Sequence, residues 1–200
     1  MRHVENDNLR DEYVILYQED VEKDIRWASI ALRRRPDAIN LWLGNNRSTT
    51  ALHRDNYENI YCQIIGCKEF VLLPPLATAM INEQFLPCAT YDAAMSLVPD
   101  EPRTEVPCAL WDPDLPHENA TPFSHLMRPL RVKLNPGDML YLPALWYHKV
   151  SQIDSTEGIC CSVNYWYDMD FEGGFFSSNA FIRTTAWAAS SAKKDMPVSR

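Results

Sequence analysis

His53, Asp55 and His148 are the side chains of this chain whose types and spacing could carry redox chemistry on a metal. In Thr50-Ala51-Leu52-His53-Arg54-Asp55 the histidine and aspartate stand two residues apart. On an extended segment residues i and i+2 point to the same side, so both can converge on one cation. His148, in Ala144-Leu145-Trp146-Tyr147-His148-Lys149-Val150, is the best candidate for a third ligand. Two imidazoles and one carboxylate on one face of a metal leave the opposite face free, which suits Fe(II) binding a bidentate co-substrate and O2. A strand histidine more often hydrogen-bonds than ligates, and a His-x-Asp triplet arises by chance. Its company raises the metal reading: a second histidine on a later strand, and polar residues on the strands just after the motif.

Those polar residues are Asn59, Tyr61, Gln63 and Lys68. Inside a small β-barrel inward positions should be apolar, so a polar inner face needs an explanation. If the four faced solvent, Tyr57, Ile60 and Cys62 would form the core face instead. A ferrous oxygenase needs a dicarboxylate anchored beyond the metal, and a lysine inside the barrel can pair with its distal carboxylate. Thr50 could add a hydroxyl donor to that group, and Asn164 could donate its amide near the metal-chelating end. Burying Lys68 without an anion would be costly, so an anionic ligand is its natural partner.

The elements that must position these groups are mostly strands. Ile39 to Leu43, Asn59 to Ile65 and Lys68 to Leu73 are rich in β-branched and aromatic residues and end at Gly44, Gly66 and Pro74. Gly66-Cys67 reads as a two-residue hairpin loop, with Ile65 opposite Lys68, Gln63 opposite Phe70 and Tyr61 opposite Leu72. Strands resume at Leu130 to Leu134, Asp138 to Leu142, Tyr147 to Ser151 and Ile159 to Tyr167, with a turn at Asn135-Pro136-Gly137-Asp138. Upstream, Val21, Ile25, Ala28 and Leu32 make one apolar stripe, predicting a helix capped by Asp20 and ended by Pro36. Arg33, Arg34 and Arg35 fall in its last turn, where cations suit the helix dipole. Residues 74 to 128 are proline-rich and read as an irregular functional region or lid. Ser178 to Lys194 reads as a helix with Phe181, Thr184 or Thr185, and Ala188 on one side.

Two hundred residues with 46% hydrophobic content fit one globular domain covering 1–200. The net charge of −8 argues against a nucleic-acid backbone as partner and is compatible with a basic peptide. No apolar run reaches membrane-spanning length, and the first residues lack a signal-peptide core. The six cysteines form no CxxC pair and read as reduced thiols of a cytoplasmic or nuclear protein.

Four motifs carry a family resemblance: Pro36-Asp37-Ala38-Ile39-Asn40-Leu41-Trp42-Leu43-Gly44, Leu52-His53-Arg54-Asp55-Asn56-Tyr57-Glu58-Asn59-Ile60-Tyr61-Cys62, Gly137-Asp138-Met139-Leu140-Tyr141-Leu142-Pro143-Ala144-Leu145-Trp146-Tyr147-His148, and Val163-Asn164-Tyr165-Trp166-Tyr167-Asp168-Met169. By these the chain resembles the catalytic half of a JmjC-domain 2-oxoglutarate oxygenase. Within that family it resembles the JmjC-domain-7 type of (3S)-lysyl hydroxylase, acting on GTP-binding proteins, more than the histone demethylases. The resemblance implies a mainly β fold, a cupin-type double-stranded β-helix (jelly roll) with flanking helices. It implies Fe(II), 2-oxoglutarate and O2 as cofactor and co-substrates, a protein substrate, and a homodimer as one assembly. His53, Asp55 and His148 match the family's iron ligands, and Thr50 and Lys68 the pair that holds the distal carboxylate. Asn59 and Asn164 match polar residues near the co-substrate, Tyr61 and Trp42 residues lining its pocket, and Trp166 an aromatic near the substrate channel.

One departure stands out. Family members carry early strands and a co-substrate-binding tyrosine before the first helix, and Met1 to Asn8 holds no matching tyrosine. The chain is therefore expected to lack N-terminal strands, leaving a sheet edge exposed. Three competing functions are a histone lysine demethylase of the same family, a non-catalytic cupin-like binding module, and a metallopeptidase. The last has little support, since there is no HExxH and no evident glutamate base.

Overall fold

The computed structural model describes residues 7–194, which divide into two compact units. The first comprises residues 7–50, 54–74 and 130–171, the second 51–53, 75–129 and 172–194. In chain order the elements are α1 (Asn8–Asp11), α2 (Val14–Glu19), α3 (Arg26–Leu32), β1 (Ala38–Gly44), β2 (Thr49–His53), β3 (Tyr57–Ile65) and β4 (Cys67–Leu73). There follow β5 (Glu83–Pro87), β6 (Ala89–Tyr91), β7 (Leu97–Pro99), β8 (Glu105–Ala109), β9 (Leu130–Leu134), β10 (Met139–Leu142), β11 (Tyr147–Ile153), β12 (Cys160–Asp168) and α4 (Gly174–Lys194). Among the described residues no helix is long and apolar enough to cross a membrane.

Two four-stranded sheets, ordered β1-β12-β3-β10 and β2-β11-β4-β9, form the frame. Every strand pair with a defined register is antiparallel. This is the mainly β, cupin-like double-stranded β-helix that the sequence suggested. The expected Gly66-Cys67 hairpin is not there. β3 pairs with β12 and β10, while β4 pairs with β11 and β9, so the chain crosses from one sheet to the other at Gly66. Gly66 takes φ +68°, and a Cβ added there would lie 2.6 Å from the Ile153 carbonyl oxygen. Only glycine can make this crossing without displacing backbone.

Because it lies between sheet and helices, β3 is buried on both faces. Ile60 and Cys62 pack outward with Leu9, Ile25 and Ala28 from the helices and Ile39, Val163, Tyr165 and Tyr167 from the neighbouring strands. Tyr61 points the other way, into a second core with Phe70, Leu72, Leu134, Leu142 and Val150. The two alternatives for the core face of this strand are thus both occupied, and Tyr57 goes with the odd-numbered set by alternation.

The first helical region differs from the expected Val21–Leu32 helix. Asp20 ends α2, where its N–H and that of Val21 both reach the Leu16 carbonyl oxygen, at 3.0 and 3.1 Å. Ile25 is extended, and α3 starts only at Arg26. Arg33 leaves the helix in the left-handed conformation (φ 57°), placing the arginine triplet beyond the last turn. Arg34 instead donates to the Asp168 carbonyl oxygen at 2.5 Å.

The edge of β1 opposite β12 is not bare. The Asn8 side chain donates to the Leu41 carbonyl oxygen (3.0 Å) and accepts from the Leu41 N–H (2.8 Å), as a neighbouring strand would, and Asp7 accepts from the Ile39 N–H (2.9 Å). The rest of the expectation about Met1 to Asn8 falls on residues 1–6, outside the described residues.

In the second unit the proline-rich stretch is more regular than expected. A 3-10 turn at Pro75–Met80 precedes two antiparallel ribbons, β5 with β8 and β6 with β7. α4 begins at Gly174 rather than Ser178, and its buried side is not the expected one. Phe181 is 73% exposed and Ala188 is exposed, whereas Asn179 is buried and donates to the Pro75 carbonyl oxygen at 3.0 Å. One turn on, Arg183 grips Glu83 with two hydrogen bonds of 2.6 and 2.7 Å and lies over the Trp187 ring at 4.4 Å. The helix therefore anchors through polar side chains, which a search for apolar periodicity overlooks.

Candidate metal and oxo-acid site

β2 delivers His53 at its last residue, and β11 carries His148. One potential ligand atom from each of His53, Asp55 and His148 lies within 4.8 Å of the others. The His148 Nε2 and Asp55 Oδ2 atoms are 3.6 Å apart. Both imidazoles are oriented alike. His53 Nδ1 is 2.8 Å from the Ala51 carbonyl oxygen and His148 Nδ1 is 3.0 Å from that of Trp146, each two residues upstream. With Nδ1–H donated to backbone, Nε2 is left as the ligand atom, the second-sphere device that fixes ring orientation at metal centres.

The turn that aims His148 is itself pinned. The Leu145 N–H donates to the Asp55 carbonyl oxygen (2.8 Å), and Leu145 holds φ 67° while almost fully buried. Glu58 Oε2 accepts from the Tyr141 hydroxyl (2.7 Å) and the Ala144 N–H (3.1 Å). Burial and the neighbouring Glu58 carboxylate both push the Tyr141 phenol upward. Glu58 escaped the sequence reading because its role is to hold a turn far along the chain.

Deeper in the first unit lies the polar layer. Lys68 is only 3% exposed, yet among the described residues its ammonium meets no carboxylate. Its neighbours are the Tyr61 hydroxyl at 2.6 Å and the rings of Tyr61 and Trp42, whose centroids are 4.9 and 5.7 Å away. Burial pulls the Lys68 amine down to about 8 and pushes the Tyr61 phenol well up. The Trp42 indole N–H donates to Asn164 Oδ1 (3.0 Å), and Asn164 Nδ2 donates to Asn59 Oδ1 (3.1 Å). Lys68, Tyr61, Trp42, Asn59 and Asn164 are thus one connected cluster inside the barrel. Thr50 lies on β2, exposed, three residues before His53.

Two polar residues beside this cluster were missed by the sequence reading: Gln152, the direct partner of Lys68 across β11 and β4, and Ser162, the register partner of Gln63 across β12 and β3. Gln63 Nε2 donates to the Ile65 carbonyl oxygen (2.8 Å), while its Oε1, like that of Gln152, is buried with no partner among the described residues. The available signal for Ser162 was period-two alternation, since it stands two residues before Asn164.

Two imidazoles with one carboxylate form a donor set that fits a divalent transition metal with open positions. A buried ammonium without a counter-carboxylate fits an organic acid. A family model described as a cupin-like domain matches residues 2–173.

The chain belongs to the cupin-like JmjC family.

This cupin-like chain is 40% identical over 157 residues to the human (Homo sapiens) bifunctional peptidase and (3S)-lysyl hydroxylase JMJD7, covering 76% of this chain and 48% of that protein. It is 35% identical over 199 residues to the lysine-specific demethylase JMJ32 of Arabidopsis thaliana, covering 94% and 57%. To the JmjC domain-containing protein E of Dictyostelium discoideum it is 31% identical over 185 residues, covering 84% and 52%. The cupin-like chain spans about half the length of these curated relatives.

Proposed function

We propose that this chain is the catalytic part of an Fe(II)- and 2-oxoglutarate-dependent oxygenase that hydroxylates a protein side chain, with lysine as the target residue. The carrying observation is Lys68: an ammonium buried in the barrel that also bears Asp55 and His148, with no carboxylate among the described residues to neutralise it. An uncompensated buried charge is strongly destabilising, so the site is built for an anion brought from solution. The names of the human and Arabidopsis relatives support lysine as the residue acted on.

In this proposal His53, Asp55 and His148 hold the iron through Nε2, a carboxylate oxygen and Nε2. Lys68 and Thr50 take the distal carboxylate of 2-oxoglutarate, while Asn59, Asn164, Tyr61 and Trp42 line its pocket. When bound, the iron couples oxidative decarboxylation of 2-oxoglutarate by O2 to hydroxylation of a substrate C–H bond. The chain's residues orient the reactants, exclude water and keep Lys68 protonated against its carboxylate partner.

The test is conversion of 2-oxoglutarate to succinate by the purified chain with Fe(II) and ascorbate. Turnover should be abolished by His53→Ala. Absence of 2-oxoglutarate binding in calorimetry with a divalent metal would instead leave a non-catalytic cupin-like module. The lysine-specific demethylase among the relatives favours a second outcome for the same chemistry, attack on an N-methyl carbon. Mass spectrometry of the product separates the two, one oxygen gained against one methyl lost. Peptide cleavage that persists without 2-oxoglutarate and O2 would favour the peptidase named in the human relative.

A further inference from the structure

Tyr57 and Trp166 stack face to face at the metal-bearing end of the barrel, with ring centroids 4.8 Å apart and planes within 2°. Tyr57 stands two residues after Asp55, and the Met169 N–H reaches the Asn56 carbonyl oxygen at 3.3 Å, so the chain ends that carry the two rings run side by side. Trp166 follows Asn164 by two residues and shares its face of β12. Asn164 looks into the barrel, since its amide meets Asn59 and the Trp42 indole that lies under Lys68. Trp166 is the register partner of Asn59. Its indole Nε1 is buried yet has no hydrogen-bond partner among the described residues.

A buried donor left unpaired is rare in folded proteins, and each case calls for an explanation such as a missing ion or ligand. Here the orphan N–H belongs to a residue that shares a face of β12 with Asn164 and pairs with Asn59. We propose that the Trp166 indole N–H donates to an oxygen of the 2-oxo acid at its metal-chelating end, and that Tyr57 is a positioning residue whose stacked ring fixes the indole for this bond. An oxo acid is favoured over a peptide carbonyl because the indole nitrogen is out of reach of solvent, whereas a peptide arrives from outside. The stack also explains why two aromatic rings lie flat on each other here: rotation of the indole would swing its N–H off the acceptor. This inference rests on the oxygenase reading and adds a donor to it.

The experiment is 15N–1H NMR of the tryptophan side chains in the full chain, with Zn(II) as a redox-silent metal and 2-oxoglutarate as the probe. Calorimetry on the same samples reports whether the probe binds. The Trp166 indole resonance should move downfield and exchange more slowly with solvent when Zn(II) and 2-oxoglutarate are both present, and not with Zn(II) alone. If 2-oxoglutarate binds and the resonance stays put, or moves only on adding a lysine peptide, the donor assignment is wrong while the oxygenase reading stands. If 2-oxoglutarate does not bind, both fall together. Tyr57→Leu should remove the shift and weaken 2-oxoglutarate binding about tenfold, and Tyr57→Phe, which keeps the ring, should restore both. A shift that survives Tyr57→Leu overturns the positioning role.

Discussion

The Lys68 ammonium lies 2.6 Å from the Tyr61 hydroxyl, donated across the interior from one sheet to the other. Burial lowers the Lys68 amine to about 8 and raises the phenol, so Tyr61 stays a neutral acceptor throughout the range in which Lys68 titrates.

Binding of 2-oxoglutarate should weaken with rising pH. A carboxylate needs the charged form of Lys68, and the unliganded site surrenders that proton near pH 8. Above that point the dissociation constant should climb about tenfold per pH unit, and binding should take up a proton. The stability of the unliganded chain should run the other way. The folded Lys68 value is depressed below the unfolded 10.5, so between about 8 and 10.5 the unfolded state holds more protons and stability rises with pH. Calorimetry in buffers of different ionisation enthalpy measures the first effect. A constant affinity from pH 7 to 10 would count decisively against Lys68 as the anchor.

Lys68→Met should separate binding from folding. The change removes a buried charge and keeps a flexible apolar chain against Phe70 and Leu134, so the melting temperature should hold or rise. Affinity for 2-oxoglutarate should fall by about 50-fold, the worth of a hydrogen bond between charged groups, while metal binding by His53, Asp55 and His148 is retained. Loss of metal binding in this variant would mean that Lys68 serves the fold rather than the co-substrate.

Gly66→Ala should destabilise the barrel severely. The methyl would lie 2.6 Å from the Ile153 oxygen and 3.0 Å from that of Ile159, both backbone atoms, at a positive φ. The combined strain and clash should cost about 2–4 kcal/mol. Urea denaturation gives the value directly, and an unchanged midpoint would contradict the crossing at this residue.

Arg183→Ala should weaken the second unit rather than the oxo-acid cluster. It removes the guanidinium that grips the Glu83 carboxylate, whose side chain is only 3% exposed, at a cost of about 3–5 kcal/mol. Hydrogen exchange should accelerate in β5, β8 and α4 while the amides of β3 and β12 keep their protection. Arg183→Leu combined with Glu83→Leu should recover most of the loss, and failure of that rescue would assign the cost to something other than the ion pair.

Much of the candidate site was legible in the sequence. His53 and Asp55 are neighbours in the chain, and alternation along an extended backbone puts them on one side whatever the fold around them. That Asn59, Tyr61 and Gln63 share one face of a strand, and Asn164 and Trp166 another, follows from the same period of two. What alternation cannot say is which strand lies opposite. Gly66-Cys67 carries every local mark of a hairpin, yet the strands it joins belong to different sheets, because β12 and β10 already occupy both edges of β3. Lys68 still meets Tyr61, but across the barrel instead of along a ladder.

The residue types and their spacings therefore determined the candidate ligand set, the shared face of the polar residues and the mainly β frame, since these depend on local backbone geometry and on composition. The tertiary structure alone decided that β3 is buried twice over, that Asn8 stands in for a strand at the edge of β1, that α4 is held by Arg183 and Asn179, and that Tyr57 clamps Trp166. The first is packing of helices and strands on both faces of one strand, and the others join residues distant in the chain through side-chain hydrogen bonds, ion pairs or ring contacts, interactions with no period and therefore no imprint on the local pattern of the sequence.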